Sequence, residues 1–212
     1  MSVLDVDTPH GPARAFVHAA DRARGGLILG HGANGHLTAP DLVAVTEVAV
    51  SERFSVALVE QPYRVAGRRS PAPARQLDAA WTAVVNHLRG AELRGLPLIV
   101  GGRSAGARVA CRTAADTGAV AVLCLAFPLH APGRSGGAGG KTRQPELDDV
   151  RVPTLVVQGA GDPFGMPAAS PSRRVITVPG NHSLKADLDA VGAAVRDWLR
   201  AQRSSPVDPA RA

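Results

Sequence analysis

The chain is poor in aromatic residues, which make up 3% of its 212 positions, and it holds two cysteines. With so few rings, the core must be built from Val, Leu, Ile and Ala, a set that suits a buried parallel sheet. Two cysteines exclude a disulfide framework. Cys111 and Cys124 fall in a helix-period segment and in the apolar run after it, without metal-ligand spacing. No apolar run approaches the length of a membrane span. The opening residues Met1-Ser2-Val3-Leu4-Asp5 lack a basic segment followed by a long apolar one, so no signal peptide is expected. Net charge is +6, but the excess is Arg in an Arg-rich chain and no run of five like charges occurs. Neither a nucleic-acid nor a membrane partner is therefore expected. The expectation is one cytoplasmic domain over 1–202, large enough to need no disulfide or metal, with a disordered tail at 203–212.

Apolar runs alternate with helix-period segments, which argues for βαβ units and a mostly parallel sheet with helices on both faces. Val3 to Val6 and Arg14 to Val17 read as an antiparallel hairpin at the sheet edge. Further strands are expected at Leu27 to Leu29, Val56 to Glu60, Leu98 to Val100, Val120 to Phe127, Thr154 to Val157 and Val175 to Val178. A helix is expected from Thr38, where Thr38 and Asp41 look like a capping box and Pro40 sits in the first turn. Leu77, Trp81, Val84, Val85 and Leu88 mark an amphipathic helix. Ala105 to Thr117 is another, and Leu188, Val191, Val195, Trp198 and Leu199 face one way on the last. Pro128 to Val152 is Gly- and Pro-rich, with one helical turn around Glu146 to Val150. It is too short to be a folded lid.

Gly102-Arg103-Ser104-Ala105-Gly106 is a G-x-S-x-G motif that follows an apolar strand and opens a helix, the setting of a nucleophile turn. Such a turn forces Ser104 into a sparsely allowed conformation, so its neighbours must be small. The helix N-terminus behind it aims the Ala105 N–H at a developing oxyanion. Of seven histidines, His182 alone sits between the last strand and the last helix, at the edge where Ser104 emerges. His87 lies on a helix, and His10 and His18 lie in the N-terminal hairpin. Asp162 follows the strand Thr154 to Val157, held extended by Pro163, and can orient His182. The competing readings are a Gly-rich turn with an incidental serine and an ordinary Asp-Pro turn. Asp148 and Asp149 are weaker alternatives for the acid.

The order Ser104, Asp162, His182 resembles that of the α/β-hydrolase superfamily. The resemblance spans about residues 3–202 and is nearest to small cap-less members of the dienelactone-hydrolase-like kind. It implies an α/β-hydrolase fold without a lid domain and a Ser-His-Asp triad. It also implies a second oxyanion donor after the first parallel strand, in His31-Gly32-Ala33: the N–H of Ala33, with Asn34 as the alternative. Dienelactone hydrolases proper use a cysteine where this chain has Ser104, so their substrate is not carried over. Other members of the group serve as scaffolds without catalysis. The function implied is cleavage of an ester or thioester of a small-molecule acyl substrate through an acyl-enzyme, with no metal or organic cofactor. A serine nucleophile argues against haloalkane or epoxide chemistry, which uses Asp on this fold.

Two rival readings are weighed beside it. A catalytically silent binding protein on the same fold keeps the same residues. A dinucleotide-binding protein is suggested by Gly30-His31-Gly32-Ala33-Asn34-Gly35 after a strand, with Glu60 ending the next. The helix beginning near Thr38, past the glycines, speaks against the second. Gly139-Gly140-Lys141-Thr142 is a false phosphate loop, since Ser135 stands where its first glycine belongs and Pro145 follows. Arg64, Arg68 and Arg69 follow the strand ending at Glu60, and Arg103 adjoins Ser104. Arg103, Arg64 and Arg68 are therefore candidate substrate contacts favouring an anionic substrate, against the reading of solvated arginines, and Asn34 is a further candidate substrate contact.

Overall fold

A computed structural model describes residues 1–34, 37–131 and 140–202. Its elements in chain order are β1 (Ser2–Val6), β2 (Ala13–His18), β3 (Gly25–Gly30), α1 (Pro40–Ser51), β4 (Phe54–Glu60), α2 (Pro62–Val65) and α3 (Ala74–Gly90). They continue with β5 (Leu98–Arg103), α4 (Ala105–Thr113), β6 (Ala121–Leu125), α5 (Gln144–Asp148), β7 (Thr154–Gly159), β8 (Arg173–Val178) and α6 (Leu188–Ala201). The strands form one 8-stranded sheet in the order β1-β2-β4-β3-β5-β6-β7-β8. β1 and β2 are antiparallel, and the strands from β4 to β8 run parallel. The edge hairpin and the parallel sheet read from the sequence are both present.

Helices cover both faces, which is why the central strands read as unbroken apolar runs rather than alternating ones. On one face, Ile28, Val100, Val122 and Val156 pack with Leu77, Trp81, Val84 and Leu88 of α3 and with Val109 and Cys111 of α4. On the other, Leu27, Leu29, Ile99, Leu123 and Leu155 pack with Leu42, Val45 and Ala49 of α1 and with Val191, Val195 and Leu199 of α6. Cys111 and Cys124 are buried and free, their Sγ atoms 3.5 Å apart. Their mutual contact and burial push the Cys111 thiol well up, which leaves it unreactive. Among the described residues no helix is long and apolar enough to cross a membrane.

Three local expectations need correction, and one short helix is additional. The start of α1 is not a capping box: Ala39 is its N-cap, without a side-chain hydrogen bond, and Asp41 is buried in a different role. The α4 helix ends at Thr113, four residues before the expected Thr117. From there the chain continues in turns closed by Gly118 at φ 53°. Ala119 N–H bonds back to Ala114 O and Gly118 N–H to Ala115 O, a Schellman closure that needs the left-handed glycine. The turn expected at Glu146 to Val150 forms earlier, as α5, because Pro145 suits a first helical turn. The short α2, begun by Pro62, was not anticipated. Residues 203–212, expected as a tail, lie outside the described residues, as do Gly35, His36, Ser135 and Gly139.

Candidate active site

β3 and β5 are neighbours, and Gly30 pairs with Gly102 at their carboxyl ends. This register brings the loop after Gly30 against the turn after Arg103. At that turn Ser104 adopts φ 53° and ψ −109°, a conformation that costs a non-glycine residue about 1–3 kcal/mol. The surrounding glycines are required by contact. A Cβ at Gly102 would sit 2.6 Å from Gly30 O, and one at Gly106 would drive into the same carbonyl. The strain is held in place by the Ser104 N–H, which donates to Leu125 O at 2.9 Å.

The Ser104 hydroxyl lies 2.9 Å from His182 Nε2, and His182 Nδ1 lies 2.8 Å from Asp162 Oδ2. A carboxylate can only accept, so Nδ1 carries the proton and the Nε2 lone pair faces the hydroxyl. The Asp162 side chain is 1% exposed and fully bonded. Gln158 Nε2 donates to Oδ2 at 2.8 Å, and the Phe164 N–H donates to Oδ1 at 2.9 Å. Gln158 also exchanges hydrogen bonds with the backbone of Phe127, tying β7 to the end of β6. Phe164 packs edge-on against the His182 ring at 4.6 Å between centroids.

Ser104, His182, Ala33, Asn34 and Ala105 line one cavity of about 750 Å³. Neither the Ala33 nor the Ala105 N–H donates to an acceptor among the described residues, which leaves both available to an anionic oxygen. The loop that carries Ala33 is fixed from below. His31 Nδ1 bonds Gly32 O at 2.7 Å, His31 Nε2 accepts from the Gln61 N–H at 3.1 Å, and Tyr63 Oη donates to Ala33 O at 2.8 Å.

The arginine expectations fare differently. Arg64 and Arg68 do not reach this cavity: α2 turns them away, Arg64 Nη1 donates to Arg68 O at 2.9 Å, and Arg68 lines a separate small hollow. Arg103 lines the cavity but is engaged. Its Nε donates to Asp41 Oδ2 at 2.8 Å and its Nη2 to His182 O at 3.1 Å. It braces the histidine loop instead of facing solvent. Arg108, Arg112, Arg143 and Lys185, which the sequence did not single out, also line the cavity. Arg108 forms a two-point bond to Glu146, and Arg112 forms one to Asp78 with a further contact to Glu146.

An acid at the start of α1, already paired with Arg103, makes that helix end a poor seat for a pyrophosphate. Among the described residues no group of three His, Cys, Asp or Glu side chains is placed to hold a metal ion.

An alpha/beta hydrolase domain model matches residues 23–189. The chain belongs to the α/β hydrolase domain family. Solved structures share the fold. A lidless a/b serine hydrolase of Xanthomonas campestris, XC6422, superposes with a TM-score of 0.77 at 18% identity, over 97% of this chain and 96% of that one. Est1E from Butyrivibrio proteoclasticus gives 0.78 at 17% identity, covering 97% and 100%. Dienelactone hydrolase from Anabaena variabilis gives 0.72 at 18% identity, covering 94% and 96%. The expectation of a small dienelactone-hydrolase-like α/β hydrolase without a lid agrees with these findings.

Proposed function

We propose that this α/β hydrolase cleaves an ester or thioester through a covalent acyl-enzyme on Ser104. One observation carries the reading: the unbroken hydrogen-bonded line from the strained Ser104 through His182 to Asp162. In the first half-reaction Ser104 Oγ attacks the acyl carbonyl and its proton passes to His182 Nε2. The tetrahedral oxyanion accepts hydrogen bonds from the Ala33 and Ala105 N–H groups. Collapse expels the alcohol or thiol, which takes the proton from His182. Water then gives a proton to His182 and attacks the acyl-enzyme; collapse returns that proton to Ser104 and frees the acid. Asp162 keeps the histidine in the tautomer that leaves Nε2 basic and stabilises the imidazolium.

Intact-protein mass after exposure to a fluorophosphonate tests the reading. One adduct on the wild-type chain and none on Ser104→Ala is the expected result. Folded wild-type protein that takes no adduct would overturn it in favour of a binding role for the same fold.

A further inference from the structure

The charge in the cavity does not balance. Among the described residues its lining holds Arg103, Arg108, Arg112, Arg143 and Lys185 against a single acid, Asp41. Asp41 is spent on Arg103, while Glu146 and Asp78, just behind the wall, neutralise Arg108 and Arg112. Arg143 and Lys185 have no carboxylate partner among the described residues.

Arg143 is the better built of the two. It precedes α5 on the connection from β6 to β7 and is half-buried. Its Nη1 is fixed by two backbone carbonyls, Pro128 O at 3.0 Å and His130 O at 3.2 Å, and its own N–H donates to Leu129 O at 2.7 Å. The opposite edge of the guanidinium, Nε with Nη2, has no acceptor among the described residues. Arg108 and Arg112 use that same edge for their two-point carboxylate bonds. The side chain is thus held in place by one edge, with the edge that matches a carboxylate or phosphate left over. Desolvation lowers the Arg143 pKa and the neighbouring Arg108 charge adds to the effect, while the Glu146 charge, already bonded to Arg108 and Arg112, opposes it only in part. Lys185, three residues past His182 and exposed, adds a second uncompensated charge at the rim.

We propose that Arg143, assisted by Lys185, is the anion-recognition site of the cavity, and that the substrate is an ester or thioester carrying a carboxylate or phosphate. The proposal rests on the acyl-transfer reading above. It moves the anion contact from Arg64, Arg68 and Arg103 to a residue on the other side of the nucleophile in the chain. A charge-assisted two-point bond contributes roughly 10- to 100-fold in affinity or rate.

The test compares p-nitrophenyl hexanoate with three anionic esters of similar size: the mono-p-nitrophenyl ester of adipic acid, the analogue ending in phosphate, and 5-butyryloxy-2-nitrobenzoate, which carries the anion on the leaving group. The expected result is a kcat/KM at least about tenfold higher for one of the anionic esters. Arg143→Gln should abolish that ratio, Arg143→Lys should restore part of it, and Lys185→Gln should lower it severalfold. Which ester wins separates carboxylate from phosphate and acyl side from leaving-group side. Equal kcat/KM for neutral and anionic esters in wild-type protein, or a preference that survives Arg143→Gln, overturns the proposal. Fluorophosphonate labelling of the same samples distinguishes the two failures. Labelled protein without anion preference sinks this inference alone, whereas unlabelled protein sinks the acyl-transfer reading. A readout independent of turnover is calorimetric titration of Ser104→Ala protein with adipate and with inorganic phosphate. Binding of either should be lost on adding Arg143→Gln, and no binding of either anion counts against the site.

Discussion

His31 and His182 invite comparison, because both follow parallel strands at the carboxyl edge of the sheet and both have each ring nitrogen engaged. In each case Nδ1 is the donor. At His31 the acceptor is the Gly32 carbonyl, and at His182 it is the Asp162 carboxylate. The difference lies at Nε2. The His31 lone pair is occupied by the Gln61 N–H, a group that can only donate, so no proton can be taken there. The His182 lone pair meets the Ser104 hydroxyl, a group that can surrender its proton when the oxygen attacks. On the function proposed above, His182 serves as the base because of what its second nitrogen faces, whereas His31, facing a backbone N–H, is a brace.

The sharpest way to break the comparison is to truncate each ring. His182→Ala should lower kcat for ester hydrolysis by about 10⁴-fold or more, with little change in the urea midpoint. His31→Ala should do the reverse. It strands the buried Gln61 N–H and the Gly32 carbonyl, costing about 1–3 kcal/mol, while kcat falls only about tenfold through the loosened Ala33 loop. If His31→Ala matched His182→Ala in kcat at unchanged stability, the assignment of the two rings would be wrong.

The two loops also differ in how they are braced. The Ala33 loop is held by neutral groups, and the His182 loop is held by a buried ion pair. The Asp41 carboxylate is fully buried, its Oδ2 on Arg103 and its Oδ1 without a hydrogen-bond partner within normal geometry among the described residues. Burial raises the Asp41 pKa, and the Arg103 charge opposes that rise. A carboxyl whose folded pKa lies above its unfolded value stabilises most below the unfolded value and loses that contribution as pH rises towards the folded one. Arg103→Met removes the opposing charge, so the rise grows. At pH 7 this variant should lose about 3–5 kcal/mol, and the deficit should shrink as pH is lowered towards 4. Asp41→Asn in the same background should recover most of it at pH 7. Unfolding midpoints across pH 4–8 for the three proteins check this, and a deficit independent of pH would show that Asp41 is not its source.

The central strands were legible in the sequence because both faces are covered, so apolar runs such as Leu27-Ile28-Leu29 had no other home. That Ser104, His182 and Asp162 would meet at one place was legible because each follows its own strand, and strand ends are where this architecture gathers polar groups. The bracing was not. Asp41 at a helix start has a local explanation, capping, that hid its long-range partner 62 positions away. Arg64 and Arg68 follow the right strand, but the α2 turn, too short to show periodicity, takes them elsewhere. Gln158 did leave a trace, as a polar residue inside Thr154-Leu155-Val156-Val157, Gln158, Gly159, four positions before Asp162. Arg143 left none, because nothing local marks an arginine whose second edge meets no acceptor among the described residues.

The smallest effect separates the two braces by their chemistry. Tyr63 Oη donates to Ala33 O at 2.8 Å, and burial pushes its pKa up to about 12. With the folded value above the unfolded value of roughly 10, the stabilisation by this phenol is complete below pH 10 and is lost as pH rises towards about 12. Tyr63→Phe should therefore cost about 1 kcal/mol at pH 8 and lower kcat by a few fold, and the stability gap between wild type and variant should close between pH 10 and pH 12. The Arg103 brace responds in the acid range and the Tyr63 brace in the alkaline range, so paired pH–stability curves of Arg103→Met and Tyr63→Phe read the two loops independently. A gap that stays constant through pH 12 would mean that the phenol proton is not what holds the Ala33 loop.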